Sequence, residues 1–352
     1  MKSKSFVSVL LTVTFLAVYY LVYFRLNTML QNIVANPDPL KKAMRGPLFP
    51  FYMFGAGAVG GVWQTAAFVL GAAALFGLTV WVLSRSFVRI VTTNRGAARY
   101  KERGVVSRTS KPDKALLRRE FRRLAASPTY MLNCCLGELM IPAALVFLLI
   151  KGSDIFMFAE QLRALGATFD AFIPVGALAA LMLILSMNDI TAPSISLEGS
   201  SLWIVQSMPV DAFRVLLAKV KTHVYLTLPL AVIAAGVLTY LLDLDLLTGG
   251  LLIVAAGLFV LVAAQAGLAF NLKMPNLQWT NETVPVKQSA SVTLALFGGW
   301  GVAFAVFGLF FLAGKVMSPT VYLGIIAVLL LAACILLYRW LKTRGAKIFE
   351  EL

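Results

Sequence analysis

The chain has 352 residues, of which 60% are apolar and only 13% charged, about half the charged share of an ordinary soluble domain. That balance excludes a disordered chain, and three cysteines are too few for a disulfide-stapled secreted module. The net charge of +15, from 31 basic and 16 acidic residues, falls between hydrophobic runs. There it sets topology and contacts anionic head groups, so nucleic acid is not the expected partner. The composition is that of an all-α polytopic membrane protein.

Eight apolar runs are long enough to span a bilayer. The first, 6–24, follows Lys2 and Lys4; it is too long for a signal-peptide core and lacks a small-residue cleavage site. The others cover about 61–83, 129–150, 171–190, 224–241, 251–270, 292–312 and 320–338. Between the second and third lies a basic stretch that includes Arg85, Arg95, Lys101, Arg108, Lys114, Arg118, Arg119, Arg122 and Arg123. The positive-inside rule makes it cytoplasmic. Alternation then places the amino terminus inside, together with a 339–352 tail carrying Arg339, Lys342, Arg344 and Lys347. Arg25, Lys41, Lys42 and Arg45, between the first two runs, oppose this assignment.

Several motif-like strings lack the context their chemistry needs. Gly55-x-Gly57-x-x-Gly60 opens a membrane helix, with no preceding strand and no βαβ unit, so it reads as close helix packing. Gly308 to Gly314-Lys315 has one residue too many between its glycines, and Val316 stands where a phosphate loop holds magnesium through Ser or Thr. The chain therefore has no ATP site of its own. Asp243 and Asp245 supply too few oxygens for a metal–diphosphate site and read as a solvated turn. Cys134, Cys135 and Cys334 lie in apolar runs as small buried hydrophobes, and no metal site is expected. His223, the lone histidine, reads as structural at the start of a span. Ionisable or polar groups inside spans mark pathways by default, which singles out Glu138, Asp189 and Gln265. Glu138, well inside the third run, is expected either to line a cavity or to pair with a cation from the basic stretch.

The cytoplasmic segments carry more information. Ser110-Lys-Pro112-Asp113 is a helix start, with Ser110 as N-cap. The helix that follows sets Leu117, Phe121 and Leu124 on one face and basic residues on the rest, a design suited to the head-group plane. Between the fourth and fifth runs, residues 192–222 exceed what linkage requires. They predict a short helix with Leu202, Trp203 and Val205, a break at Pro209, and a second helix capped by Asp211. Trp203, Ile204 and Met208 on a water-facing loop need either a partner groove or the chain's own spans to cover them.

Glu120-Phe121-Arg122-Arg123-Leu124 with Ser127-Pro128-Thr129-Tyr130 resembles the elbow helix of type-2 ABC exporter permeases. Ile195-Ser-Leu-Glu198-Gly199 with Leu202-Trp203 and Ser207-Met208-Pro209-Val210 is similar to the cytoplasmic loop of that family. Asn276-Leu-Gln-Trp279-Thr-Asn281-Glu282 with Val286-Lys287-Gln288-Ser289 is similar to its next cytoplasmic loop. Together these cover residues 110–340 and six spans, the number such a permease has.

The resemblance implies an elbow helix at 110–127 (Arg118, Arg119, Phe121, Arg122, Arg123) and a six-span domain at 129–338. It implies a coupling loop that seats on a separate ATPase subunit through Glu198, Gly199, Ser200, Leu202, Trp203, Ser207, Met208, Pro209 and Val210. It also implies a homo- or heterodimer of permease halves in the cell inner membrane, with ATP and magnesium on the partner and none in this chain. Residues 1–84 would be two spans left from a fuller preceding half, joined by the 85–128 linker. Many relatives carry a basic residue soon after the Glu-Gly pair, where this chain has Ser200 and Ser201. The rival readings are a non-transporting scaffold that recruits a soluble factor, and a membrane-embedded lipid-modifying enzyme.

Overall fold

The computed structural model describes residues 60–92, 111–164 and 166–352, with separate positions between 11 and 55. The chain divides into two units, Leu11–Arg108 and a second containing Thr109–Leu352. Every regular element is helical, with no strand among the described residues. Within the first unit the described element is α1, Val62–Thr92, an apolar helix long enough to span. The expected first span, 6–24, lies largely outside the described residues, as does all of 93–110, including Ser110.

The second unit opens with α2 (Pro112–Ala126) and α3 (Pro128–Cys134). The long helices follow: α4 (Leu136–Ala164), α5 (Ala167–Leu185), then, after the short α6 (Leu202–Gln206), α7 (Ala212–Leu241) and α8 (Leu246–Lys273). The chain ends with α9 (Thr283–Lys287), α10 (Ala290–Ala313), α11 (Pro319–Trp340), one π turn at Leu341–Gly345 and α12 (Ala346–Glu351). Among the described residues six helical stretches, α1 included, are long and apolar enough to cross a membrane, and α5 is a shorter apolar helix. Seven of the eight expected spans thus have a helical counterpart.

Helices α4, α5, α7, α8, α10 and α11 enclose one apolar core, with Leu178, Met182, Leu252, Phe259, Phe310 and Leu323 at its centre. Ala231, Ala234 and Ala235 of α7 meet Ala255 and Ala256 of α8 in that core, the small-residue contact that lets helices approach closely where lipid offers no hydrophobic drive. Lipid-level side chains such as Phe147, Leu309 and Leu336 stay exposed, as expected of a surface that meets hydrocarbon.

The third expected span is broken. Ser127 accepts a hydrogen bond from Tyr130 N at 3.2 Å and so caps the short α3, whose first turn holds Pro128. Helix α4 then starts afresh at Leu136. The break lets Gly137 sit against Asn188 and the Ile184 carbonyl, where a Cβ would stand 2.8 Å from that oxygen. Glu138, expected well inside one continuous span, consequently lies in the first turn of α4. A carboxylate there meets the positive end of the helix dipole, which eases its burial.

The expected cap at Asp211 is formed, accepting from Phe213 N at 2.9 Å at the start of α7. Asp245, expected only as part of a solvated turn, also caps α8, accepting from Thr248 N at 3.0 Å. The predicted N-cap at Ser110 is displaced, because α2 begins at Pro112 after Lys111, which makes no side-chain cap.

Candidate functional site

A second apolar cluster lies at the end of the bundle where α5 stops, α7 starts and α8 stops. It joins Leu116 of α2, Ile195, Leu202 and Val205 of the 186–211 connection, Leu216 of α7 and Leu268 of α8. Leu341 and Phe349 belong to the same cluster, and Gln206 Nε2 donates to the Phe349 carbonyl at 2.7 Å. Residues 339–352, expected to form a simple cytoplasmic tail, are therefore part of this base.

The base holds a buried charge cluster. The Lys219 side chain, on α7, is 0% exposed. Its ammonium donates to both oxygens of Glu120 at 3.1 Å, to Glu198 Oε1 at 2.9 Å and to the Ser194 carbonyl at 3.1 Å. Glu198, 2% exposed, also pairs with Arg119 Nη2 at 2.6 Å and Arg123 Nη1 at 2.5 Å. Arg119 Nη1 reaches Glu120 at 3.3 Å. Burial raises the carboxyl pKa of Glu198, but Lys219, Arg123 and Arg119 more than reverse this and hold it at about 2. Three cations thus share two carboxylates, and the excess charge sits on arginines that remain partly exposed.

The connection between α5 and α7 is fixed from the other side by amide and hydroxyl groups. Asn271 of α8 accepts from Ile195 N at 2.7 Å and Ser196 N at 3.0 Å, and donates to the hydroxyls of Ser196 and Ser291. Ser196 Oγ also accepts from Asn276 N, and its carbonyl accepts from Trp279 Nε1 at 2.7 Å. Ser127 donates to Glu282 at 2.5 Å, and the Tyr130 hydroxyl donates to the Ile190 carbonyl. Every backbone group so occupied is one that an irregular segment would otherwise bury unpaired.

The expected coupling residues divide into two sets. Glu198, Gly199 and Leu202 face inward and are buried; Met208 and Val210 are half-buried. Ser200, Trp203, Ser207 and Pro209 are exposed, Trp203 by 65% and Ile204 beside it by 44%. Of the expected elbow residues, Arg118 and Arg122 are exposed, while Arg119, Phe121 and Arg123 are half-buried. The buried face of α2 is Leu116, Glu120 and Leu124 rather than the predicted Leu117, Phe121 and Leu124. Pairing to Lys219 turns Glu120 inward and rotates the helix by one position.

The three polar residues expected to mark a pathway are not gathered. The Thr227 hydroxyl of α7 donates to Glu138. Gln265 Nε2 lies 3.4 Å from Cys334 Sγ, between α8 and α11. Asp189 lines a cavity. Glu138 makes no ion pair among the described residues. His223 is buried, and neither ring nitrogen has a hydrogen-bond partner among the described residues. No group of three or more His, Cys, Asp or Glu side chains is placed to hold a metal among the described residues.

Sequence reasoning missed Glu120 and Lys219. The signal was present in Lys219, which sits among Val215, Leu216 and Val220 on what is otherwise an apolar stripe. A cation at such a position needs an anion brought to it.

No known protein family, curated sequence or solved structure matches the chain.

Proposed function

We propose that this chain is the membrane-spanning permease subunit of an ABC exporter, moving substrate outward with ATP hydrolysed by a separate subunit. The reading is supported chiefly by one observation. The three segments that resemble the type-2 permease family, far apart in sequence, meet at one end of a six-helix bundle. There they leave Trp203 and Ile204 exposed on a helix whose opposite face is buried. In this reading that end is cytoplasmic, in line with its basic residues, and the Trp203 face is the lever. Closure of the ATPase dimer pushes α6, and the charge cluster passes the displacement to α2 and α7, biasing the bundle between inward- and outward-open states.

The test is affinity purification of the tagged full chain from native membranes in mild detergent. A stoichiometric chain with a complete phosphate-loop motif is expected to accompany the wild type. It is expected to be lost from the Trp203→Asp/Met208→Asp variant, since aromatic anchors dominate such interfaces. The exposed Trp203→Asp substitution alone should change stability by no more than about 0.5 kcal/mol, and as a single variant it separates loss of the partner from loss of fold at the half-buried Met208. No ATPase with the wild type, even after cross-linking, would transfer the lever face to the scaffold reading.

A further inference from the structure

At the same end of the bundle a cavity of about 270 Å³ opens between α8, α10 and the end of α5. Its walls are apolar, formed by Phe259, Phe270 and Val302 among others, and one side is polar, formed by Ser186, Asn188 and Asp189. Asp189 is only 9% exposed, and its carboxylate makes no hydrogen bond or ion pair among the described residues. Its backbone is fixed instead, donating to the Cys134 carbonyl at 3.0 Å. Asn188, 2% exposed, accepts from Glu138 N through Oδ1 at 2.9 Å, and its Nδ2 has no hydrogen-bond partner among the described residues. Buried polar groups are ordinarily satisfied, and a buried carboxyl without a partner stays protonated unless a cation seated beside it stabilises the ionised form.

We infer that this cavity binds the primary ammonium head of an amphiphile, with Asp189 as its counter-ion and the Phe259–Phe270 wall as the seat of the first part of its chain. Each part of the site selects for that chemistry. One carboxylate, one amide and one hydroxyl are too few oxygen donors for a calcium or magnesium ion. No basic side chain lines the cavity, so an anion finds no partner there. The free Nδ2 of Asn188 can donate to a hydroxyl or phosphate oxygen carried next to the ammonium. The volume accommodates a head group and a few methylenes, below the usual range for a whole drug-sized ligand. Gly267 and Gly299 bring α8 and α10 close to this polar edge: a Cβ on Gly267 would stand 2.8 Å from Thr191 Oγ1, and one on Gly299 would meet Ser186. The ammonium has two sources in a membrane, an aminophospholipid and a free amphiphilic amine, and the site chemistry is shared.

The experiment is thermal stabilisation of the purified full chain in nonionic detergent by decylamine, with decanol and decanoate as probes of equal chain length. Decylamine is expected to raise Tm saturably at neutral pH while the other two do not. Asp189→Asn should weaken the decylamine response at least about tenfold without lowering the ligand-free Tm, because it removes an unpaired buried carboxylate. Gly298→Leu is the second variant: Gly298 lines the cavity, and nothing lies within 4 Å of its Cβ position, so a leucine there can fill the space and should abolish the response. Displacement of decylamine by lysophosphatidylethanolamine, but not by lysophosphatidylglycerol, assigns the site to a lipid head group; absence of displacement assigns it to a free amine. An equal response to decanol, or unchanged decylamine affinity in either variant, overturns the inference. The readout involves no ATPase, so its failure leaves the permease reading standing, and the reverse holds too.

Discussion

Glu198→Gln is expected to lower the unfolding free energy by about 3 kcal/mol near neutral pH, the largest effect of any single substitution on the exposed-looking 192–222 connection. Its carboxyl is held at about 2 against an ordinary 4.5, and every tenfold gain in acidity on folding corresponds to about 1.4 kcal/mol. The amide keeps the shape but leaves Lys219, Arg119 and Arg123 around a neutral group, which is the costly way to break a buried ion cluster. The pH dependence follows from the lowered pKa. A carboxylate depressed in the folded state contributes stability above its unfolded pKa and loses it as pH falls from about 4.5 to about 2. The gap in Tm between wild type and Glu198→Gln should therefore be full above pH 5 and close toward pH 2. A gap that did not change across that window would sink the assignment. Lys219→Met should combine non-additively with Glu198→Gln, since both act on one cluster.

This changes how mutations in the connection are to be interpreted. Under the proposed permease reading, the sequence makes Glu198 and Trp203 neighbours on one coupling loop, and replacing either would be expected to uncouple ATP hydrolysis from transport without disturbing the spans. In the structure they lie on opposite faces. Trp203 is exposed, and under the proposed permease reading its loss would touch the partner; Glu198 is buried, and its loss touches α2 and α7. Transport lost in a Glu198 variant therefore reports on the base of the lever as well as on its contact. Transport lost in Trp203→Asp, with Tm unchanged, reports on the contact alone.

What the sequence made legible follows from periodicity and local chemistry. Apolar runs located the long helices because a bilayer demands about 20 apolar residues in each. Asp211 was readable as a cap because a cap is decided within four residues; Asp245 caps α8 by the same local chemistry, although the sequence suggested only a solvated turn there. The α3–α4 break was not readable, since Thr129 to Ile150 is apolar enough to be one span. The break goes with a tertiary contact that no local pattern records, Gly137 against Asn188 and Ile184. Arg119, Arg123 and Glu198 each stand out in the sequence, yet nothing in it announces their meeting, because 75 to 79 residues separate the arginines from the glutamate and no local pattern records such a pairing. Glu120 was hidden by the amphipathic argument itself, which assigns charge outward; only a partner such as Lys219 reverses that rule. The pathway set divides for a related reason. Polarity inside a span shows that a group is paired or functional, but not which, and Glu138 and Gln265 have protein partners while the Asp189 carboxylate has none among the described residues.

Gly199→Ala is expected to cost about 1–3 kcal/mol from backbone strain alone, with an added steric term. Gly199 has φ +52° and ψ −138°, a conformation that residues with a Cβ rarely adopt. Its Cα faces the Trp279 ring: a Cβ there would lie 3.2 Å from Nε1 and 3.3 Å from Cε2, closer than ordinary contact. The ring cannot readily give way, because its Nε1 donates to the Ser196 carbonyl at 2.7 Å. An alanine must therefore break that hydrogen bond, shift the start of α6, or both. Trp279→Phe in the same background removes the crowding atoms but not the φ strain, so it should recover the steric part of the loss only. The position of α6 is what presents Trp203, which gives a second readout. If α6 moves, Gly199→Ala should also weaken partner association at temperatures where the spans remain folded. Full stability in Gly199→Ala would show that the backbone can pass Trp279 by another route. Full stability with lost partner binding would place the effect wholly in the orientation of α6.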